Sequence, residues 1–259
     1  AREAIALLLD VVTHPRLSSD DIDRVRDLRR NRILQMRQVP SAVADRVFIK
    51  SVYGSHPYGH LSIGTHTSLS EIDASAVTEF HGRCYQAAGW TLVAVGALSH
   101  DTLLETVQSE VNRVIQKVPS SPFVPESRRQ EPPTLRKSLV FVPRPDAVQS
   151  EVRLGHPGVS RNSEDYHALL VLNMVLGGQF VSRINLNLRE DKGYTYGANT
   201  SFDFRVGRGP FSFSSSVQTS VTAAAIREAI QEIQEIQTTR PPTANELRVA
   251  RDALTRGFP

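Results

Sequence analysis

The sequence predicts an α+β fold made of two related domains, each a mainly antiparallel sheet packed with helices. Three observations carry that expectation. Amphipathic helical periods alternate with short apolar runs, a helix–break–helix pattern occurs twice, and a Pro- and Ser-containing polar stretch divides the chain near its middle. The 259 residues suffice for one large or two modest domains, each with its own core.

The repeat comes first because it organises the rest. Arg2-Glu3-Ala4-Ile5 recurs as Arg227-Glu228-Ala229-Ile230, 225 positions later, and in the same register Ile22 meets Leu247 and Arg26-Asp27 meets Arg251-Asp252. Proline interrupts both copies, at Pro15 and at Pro241-Pro242, and a second helical pattern follows each break. Such agreement points to duplication. On that reading residues 1–118 are the later part of a first domain, 119–135 a linker and 136–259 the earlier part of a second domain. Both domains are then expected to be incomplete at the chain ends.

Local signals fill in the elements. Ser68 and Glu71 have capping-box spacing and predict a helix running to about Tyr85. Thr91 to Leu98 reads as an apolar strand and Asp101 to Lys117 as an amphipathic helix. Past the linker, strands are expected at Ser138 to Val142 and Gln149 to Leu154, then a helix from Ser163 stopped by Gly177-Gly178. A hairpin follows, with strands near Tyr194 to Val206 and Phe211 to Val217 joined across Gly207-Arg208-Gly209-Pro210. The last helices start near Thr222 and Thr243.

Composition narrows the function classes. Charged residues at 22% and apolar residues at 40% are ordinary for a globular chain, and no apolar run is long enough for a transmembrane segment. The formal charge is only +3 and the basic residues lie between acids, so no nucleic acid partner is expected. A lone cysteine, Cys84, rules out an internal disulfide framework.

The densest chemistry lies in Leu176-Gly177-Gly178-Gln179-Phe180-Val181-Ser182-Arg183-Ile184, followed by Leu188-Arg189-Glu190-Asp191-Lys192-Gly193-Tyr194-Thr195-Tyr196. Phe180, Ile184 and Leu188 at i, i+4 and i+8 predict a short helix with one apolar face, and Gly193 ends the turn after it. Arg189 then sits at the helix C-terminus and Tyr196 on the first hairpin strand. A guanidinium and a phenol held by two rigid elements can stabilise the oxyanion that amide hydrolysis builds. Equally, Arg189 can offset the helix dipole while Tyr196 packs in the sheet. Spacing alone leaves both readings open.

This block resembles the insulinase/pitrilysin family of metallopeptidases, the inverzincins. There a leucine-glycine-glycine, a serine-arginine-hydrophobe and a leucine-arginine-glutamate lead through lysine-glycine to a tyrosine seven residues after the arginine. His56-Pro57-Tyr58-Gly59, Gly64-Thr65 and the run Leu92 to Gly96 are similar to the family's first-domain pattern. The resemblance implies catalytic roles for Arg189 and Tyr196 and a peptide substrate. It also implies zinc, which the family holds with His-x-x-Glu-His and a downstream glutamate. No His-x-x-Glu-His occurs in this sequence. Aligned with the family's ligand helix, Arg32 stands where the third ligand belongs, Val25 where an additional acid is usual, and Asn31 beside it. A cation cannot ligate zinc.

The expectation is therefore a non-catalytic half or subunit with no metal ligand or cofactor of its own. Zinc is expected in a zinc-bearing insulinase-family subunit or fused half, to which this chain lends Arg189 and Tyr196. The alternative is a catalytically dead scaffold within a larger complex, which has less need to keep those two residues. A complete peptidase would require the missing motif before Ala1 and an unusual third ligand. The residues leave the compartment open, and exported bacterial relatives tilt it toward the periplasm.

Three further features have competing accounts. Val25, Arg29, Arg32 and Met36 share one helix face, which either looks into a wet cavity or lets arginine stems snorkel. His56 and His60 imitate a metal pair, but Pro57 and Gly59 forbid a regular helix between them, and a structural turn is expected. Gly177-Gly178 lacks the Gly-Lys-Ser/Thr ending of a phosphate loop and reads as a helix stop.

Overall fold

The computed structural model describes residues 2–85, 90–114, 131–133 and 138–257. They form two compact units, Ala1–Leu34 with Ile63–Pro125, and Gln35–Ser62 with Glu126–Pro259. The whole is α+β, with one three-stranded antiparallel sheet and helices before, between and after its strands. No helix among the described residues is long and apolar enough to cross a membrane. The linker expected at 119–135 lies, apart from 131–133, outside the described residues, as does the end of the helix expected to reach Lys117.

The first unit is helical among the described residues: α1 (Arg2–Thr13), most of α2 (Ser19–Met36), α4 (His66–Ser70), α5 (Ala74–Cys84) and α6 (His100–Val114). Glu110 of α6 is buried and accepts from Arg2 Nε and Arg113 Nε, each at 2.8 Å, which ties α1 to α6. The hydrogen bond from Arg2, then that from Arg113, holds the Glu110 carboxyl below its ordinary range. The start of α2 is fixed by Ser18 Oγ, which accepts from Asp21 N at 3.3 Å. Its inward side carries Ile33 together with half-buried Ile22, Arg26 and Arg30. Arg26 donates to the Ile72 carbonyl at 3.0 Å and Arg30 to Ser70 Oγ at 2.7 Å. Val25, Arg29 and Arg32 are exposed, and only Met36 of that face is half-buried.

Two expectations fail in this unit. The helix expected from Ser68 to Tyr85 is two helices. Thr65 and Ser68 form the capping box that opens α4, and Asp73 then accepts from Ala76 N at 2.8 Å and starts α5 anew. Thr91 to Leu98 forms no strand, because no described segment pairs with it and most of it lies exposed.

In the second unit the strands are β1 (Gln149–Pro157), β2 (Thr195–Phe202) and β3 (Pro210–Gln218), in the order β1-β3-β2. Alternation divides the sheet into two faces. Val152, Leu154, Phe213, Val217 and Ala198 pack with Val175 and Leu176 of α7 (Tyr166–Leu176), with Ala225 and Ala229 of α9 (Thr222–Glu235), and with Ala250 of α10 (Ala244–Arg256). The other face carries Glu151, Arg153, Asn199, Ser212, Ser214 and Ser216, in the register Glu151↔Ser216 and Arg153↔Ser214. Ser138 to Val142 is not a strand: among the described residues β1 pairs with β3 alone, and Leu139 to Val142 are exposed.

Helix α3 (Pro40–Tyr53) packs against β1, and its end leads into His56-Pro57-Tyr58-Gly59. That segment is a structural turn. Gly59 N donates to His56 O at 2.7 Å and Tyr58 N to His56 Nδ1 at 3.0 Å. Tyr58 Oη accepts from Gly207 N at 3.0 Å, and Tyr53 Oη donates to the Arg208 carbonyl at 2.9 Å, which pins the hairpin loop. Burial pushes the Tyr53 phenol up to about 12, so it stays a donor.

The second helix–break–helix is organised by Arg183, 9% exposed. Its Nε and Nη2 meet the two Glu246 oxygens at 2.6 and 2.8 Å, and it also donates to the carbonyls of Arg240 and Pro241 across the break. Glu246 completes a capping box with Thr243 at the start of α10. Ser18 and Asp21 stand 225 positions before Thr243 and Glu246, so the sequence offset between the two helix–break–helix segments takes in the capping residues.

Arg183 foremost holds the Glu246 carboxyl at about 2, against an ordinary 4.5. A depressed carboxylate stabilises the fold fully above its unfolded value and loses that contribution as pH falls toward its folded value. Stability measured by chemical denaturation is expected to decline between about pH 4.5 and 2, and Arg183→Met to flatten that decline. At pH 7 Arg183→Met is expected to cost about 2–4 kcal/mol, below the full cost of breaking a buried pair because Glu246 keeps part of its surface in water.

Candidate functional site

The polar face of the sheet borders an open groove of about 460 Å³ in the second unit. Its floor is pre-paired. Ser216 Oγ donates to Glu151 Oε1 at 2.5 Å, Arg153 Nη1 to Glu151 Oε2 at 3.0 Å, and Arg153 Nε to Asp45 Oδ1 at 2.7 Å. One wall is the loop after α7. Gly177 N and Gly178 N both donate to Asn173 O, at 2.9 and 2.6 Å, which ends the helix as expected. Gly177 O in turn accepts from Thr200 N at 3.0 Å, so the loop lies against the edge of β2. A Cβ at Gly177 would stand 2.6 Å from Thr200 N, and one at Gly178 would stand 2.6 Å from Asn173 Nδ2.

Phe180 is not on the helix that its spacing suggested. Ser182 is extended, and a short α-helical turn, α8 (Arg183–Asn185), begins only after it. The chain then widens into a π-helical turn over Leu186–Asp191, closed by Lys192 N to Asn187 O at 3.0 Å. Ile184 and Leu188 are wholly buried as expected, whereas Phe180 is 63% exposed at the groove. The π turn carries Arg189, and such turns recur at functional sites.

Tyr196 is turned outward by a β-bulge. Thr195 pairs with Val217 and Ala198 with Ser215, so three steps along β2 match two along β3. Thr195 Oγ1 braces the extra residue by accepting from Gly197 N at 3.1 Å and donating to the Ser216 carbonyl at 2.7 Å. Tyr196 is 91% exposed, lines the groove, and its hydroxyl has no partner among the described residues. Arg189 is half-buried and does not line the groove. Its guanidinium carbon lies 4.0 Å from the centre of the Phe180 ring and its Nη1 3.1 Å from Glu190 Oε1. The geometry therefore brings Tyr196 and Phe180 to the groove directly, and Arg189 through Phe180.

Asn185 escaped the sequence reading. It is buried beneath the same groove and bonds both the loop and β2. Only its place four residues before Arg189, on the turn between the two motifs, was available as a signal.

Zinc does not fit the described residues that the sequence offered for it. Arg32 is an exposed cation on α2, His56 Nδ1 already accepts from Tyr58 N, and His60 is exposed. Among the described residues no three His, Cys, Asp or Glu side chains converge to hold a metal ion.

Residues 71–254 match the family described as the peptidase M16 inactive domain. The chain belongs to the peptidase M16 family. The match is to the insulinase-type inactive domain, and it takes in both motifs, Leu176 to Ile184 and Leu188 to Tyr196, and all of the groove lining except Ser41. An uncharacterized zinc protease of Mycobacterium tuberculosis strain H37Rv is 30% identical to this M16 chain over 255 residues, covering 97% of it and 54% of the relative. A non-peptidase homolog from Helicobacter pylori is 22% identical over 198 residues, 75% of this chain and 44% of that one. A crystal structure of the peptidase M16 inactive domain from Pseudomonas fluorescens superposes with a TM-score of 0.90 at 25% identity, covering 99% of this chain and 60% of that structure. The M16 chain thus spans about half the length of the curated relatives it matches.

Thermal melting tests the packing of the loop. Gly177→Ala and Gly178→Ala are each expected to cost about 1–3 kcal/mol, because the new methyl must displace Thr200 or Asn173. Gly197→Ala, where a Cβ meets nothing nearer than 4.0 Å, is expected to stay within about 0.5 kcal/mol of the parent.

Proposed function

We propose that this chain is the non-catalytic half or subunit of a zinc metallopeptidase. It helps enclose a peptide substrate and supplies Arg189 and Tyr196 to an active site whose metal is held by a zinc-bearing M16 partner or fused half. The observation that carries this reading is Tyr196, which the bulge turns almost fully into solvent beside a polar groove and which spends its hydroxyl on nothing within the described fold. A tyrosine serving the core would be buried and bonded.

The chemistry follows from where charge develops. Attack on a peptide carbonyl builds negative charge on its oxygen, and a phenol together with a guanidinium are donors that meet it without rearranging solvent. Arg189 stands behind the Phe180 ring at the groove, its guanidinium ion-paired with Glu190 at 3.1 Å. The hydroxyl-rich floor offers shallow polar contacts to an extended peptide backbone. The repeated helix–break–helix, with its cap at the same offset, supports the further reading that the chain holds parts of two successive copies of one domain.

A second reading, a catalytically dead scaffold in a larger complex, draws support from the Helicobacter pylori relative's description as a non-peptidase homolog. Reconstitution separates the two. The chain alone is expected to bind no stoichiometric zinc and to cleave no peptide, and peptidase activity to appear with a zinc-bearing M16 partner. In that assembly Arg189→Ala and Tyr196→Phe should each lower turnover about ten-fold or more. Turnover close to the parent in both variants would leave the scaffold reading standing.

A further inference from the structure

We propose that Asn185 is a positioning residue: by donating to the Gly177–Ser182 loop and accepting from β2 at the same time, its amide sets the spacing at which Phe180 and Tyr196 face the groove. The proposal rests on the role given above to Tyr196 and extends it to a residue that touches no substrate.

The geometry is specific. Asn185 is 4% exposed and ends α8, the turn that leads to Arg189. Its Nδ2 donates to the Phe180 carbonyl at 2.6 Å, and its Oδ1 accepts from Ala198 N at 3.1 Å. Ala198 is the residue at which regular pairing resumes after the bulge, two positions beyond Tyr196. Phe180 carries the ring on which Arg189 rests. One side chain therefore bonds the backbone of the residue whose ring supports Arg189 and the strand that presents Tyr196.

Only certain side chains can do this. A primary amide is donor and acceptor together, whereas an ionised carboxylate is acceptor only. In Asn185→Asp the charged form keeps the bond from Ala198 N but sets an anionic oxygen against the Phe180 carbonyl. Protonation returns an O–H that can donate to that carbonyl, and burial beside a carbonyl raises the pKa of the new acid. Asn185→Leu has neither capacity in either state. The two variants therefore part company with pH, which a simple loss of packing would not produce.

The test compares parent, Asn185→Asp and Asn185→Leu between pH 8 and pH 5.5. In the assembly with the zinc-bearing partner, Asn185→Asp is expected to turn over peptide about ten-fold more slowly than the parent at pH 8. Its activity relative to the parent is expected to climb several-fold by pH 5.5, while Asn185→Leu stays low throughout. In the chain alone, amide exchange corrected for intrinsic rates is expected to rise over 177–182 and at Ala198 in Asn185→Asp at pH 8, and to return toward the parent at pH 5.5. A ratio that does not change with pH, or exchange that rises equally over β1, β3 and α7, overturns the proposal. An inactive parent assembly would defeat the proposed function instead, and the exchange measurement would still decide the role of Asn185.

Discussion

The missing side chains of Gly177 and Gly178 allow the end of α7 to lie directly on the edge of β2, and the groove is arranged around that contact. Both glycine amides converge on the Asn173 carbonyl, while Thr200 N reaches back to Gly177 O. Asn173 Oδ1 also accepts from Thr200 Oγ1 at 2.9 Å, so helix and strand are joined twice at one place. Methyl groups at these positions would occupy the space of those same atoms. Beyond that contact Phe180 projects at the groove, and the next helical turn begins at Arg183.

The sheet divides its labour between its faces. Inward residues make a dense apolar core with the helices, including Ile184, Leu188 and Val217, none of which retains any exposure. Outward residues are polar, most of them serines beside Glu151, Arg153 and Asn199, and they bond one another, as Ser214 does with Asn199, Ser201 with Ser212 and Ser216 with Glu151. A face satisfied in this way stays polar without presenting unpaired buried groups, so it tolerates both water and a polar ligand. The widened turn at Leu186–Asp191 serves both sides, sending Leu188 into the core while Arg189 keeps contact with Phe180.

Much of this was readable from residue order. The helix stop at Gly177-Gly178, the hairpin and the helix start near Thr243 follow from short-range rules that act within a few residues, and the family resemblance from motifs that stand intact in the residue order. Phe180 was misplaced because i, i+4, i+8 spacing does not reveal that Ser182 interrupts the run. The run at 91–98 and that at 138–142 have strand-like composition, but a strand exists only when another segment supplies its ladder, and β-propensity carries no information about partners. The bulge at Tyr196 and the bridge through Asn185 depend on register between distant segments, which single-residue patterns do not encode. The two arginines on the outer face of α2 are explained by exposure, with Arg26 and Arg30 taking the inward contacts instead.

The outer flank of β2 has a consequence for how a guest chain can lie. Its outward-pointing amides at Ala198 and Thr200 are already engaged, one by the Asn185 side chain and the other by the Gly177 carbonyl. Two of the amide donors that an added fourth strand would use at this edge are therefore already taken. A polar chain entering the groove thus meets the hydroxyl-lined face rather than free backbone donors at these two positions.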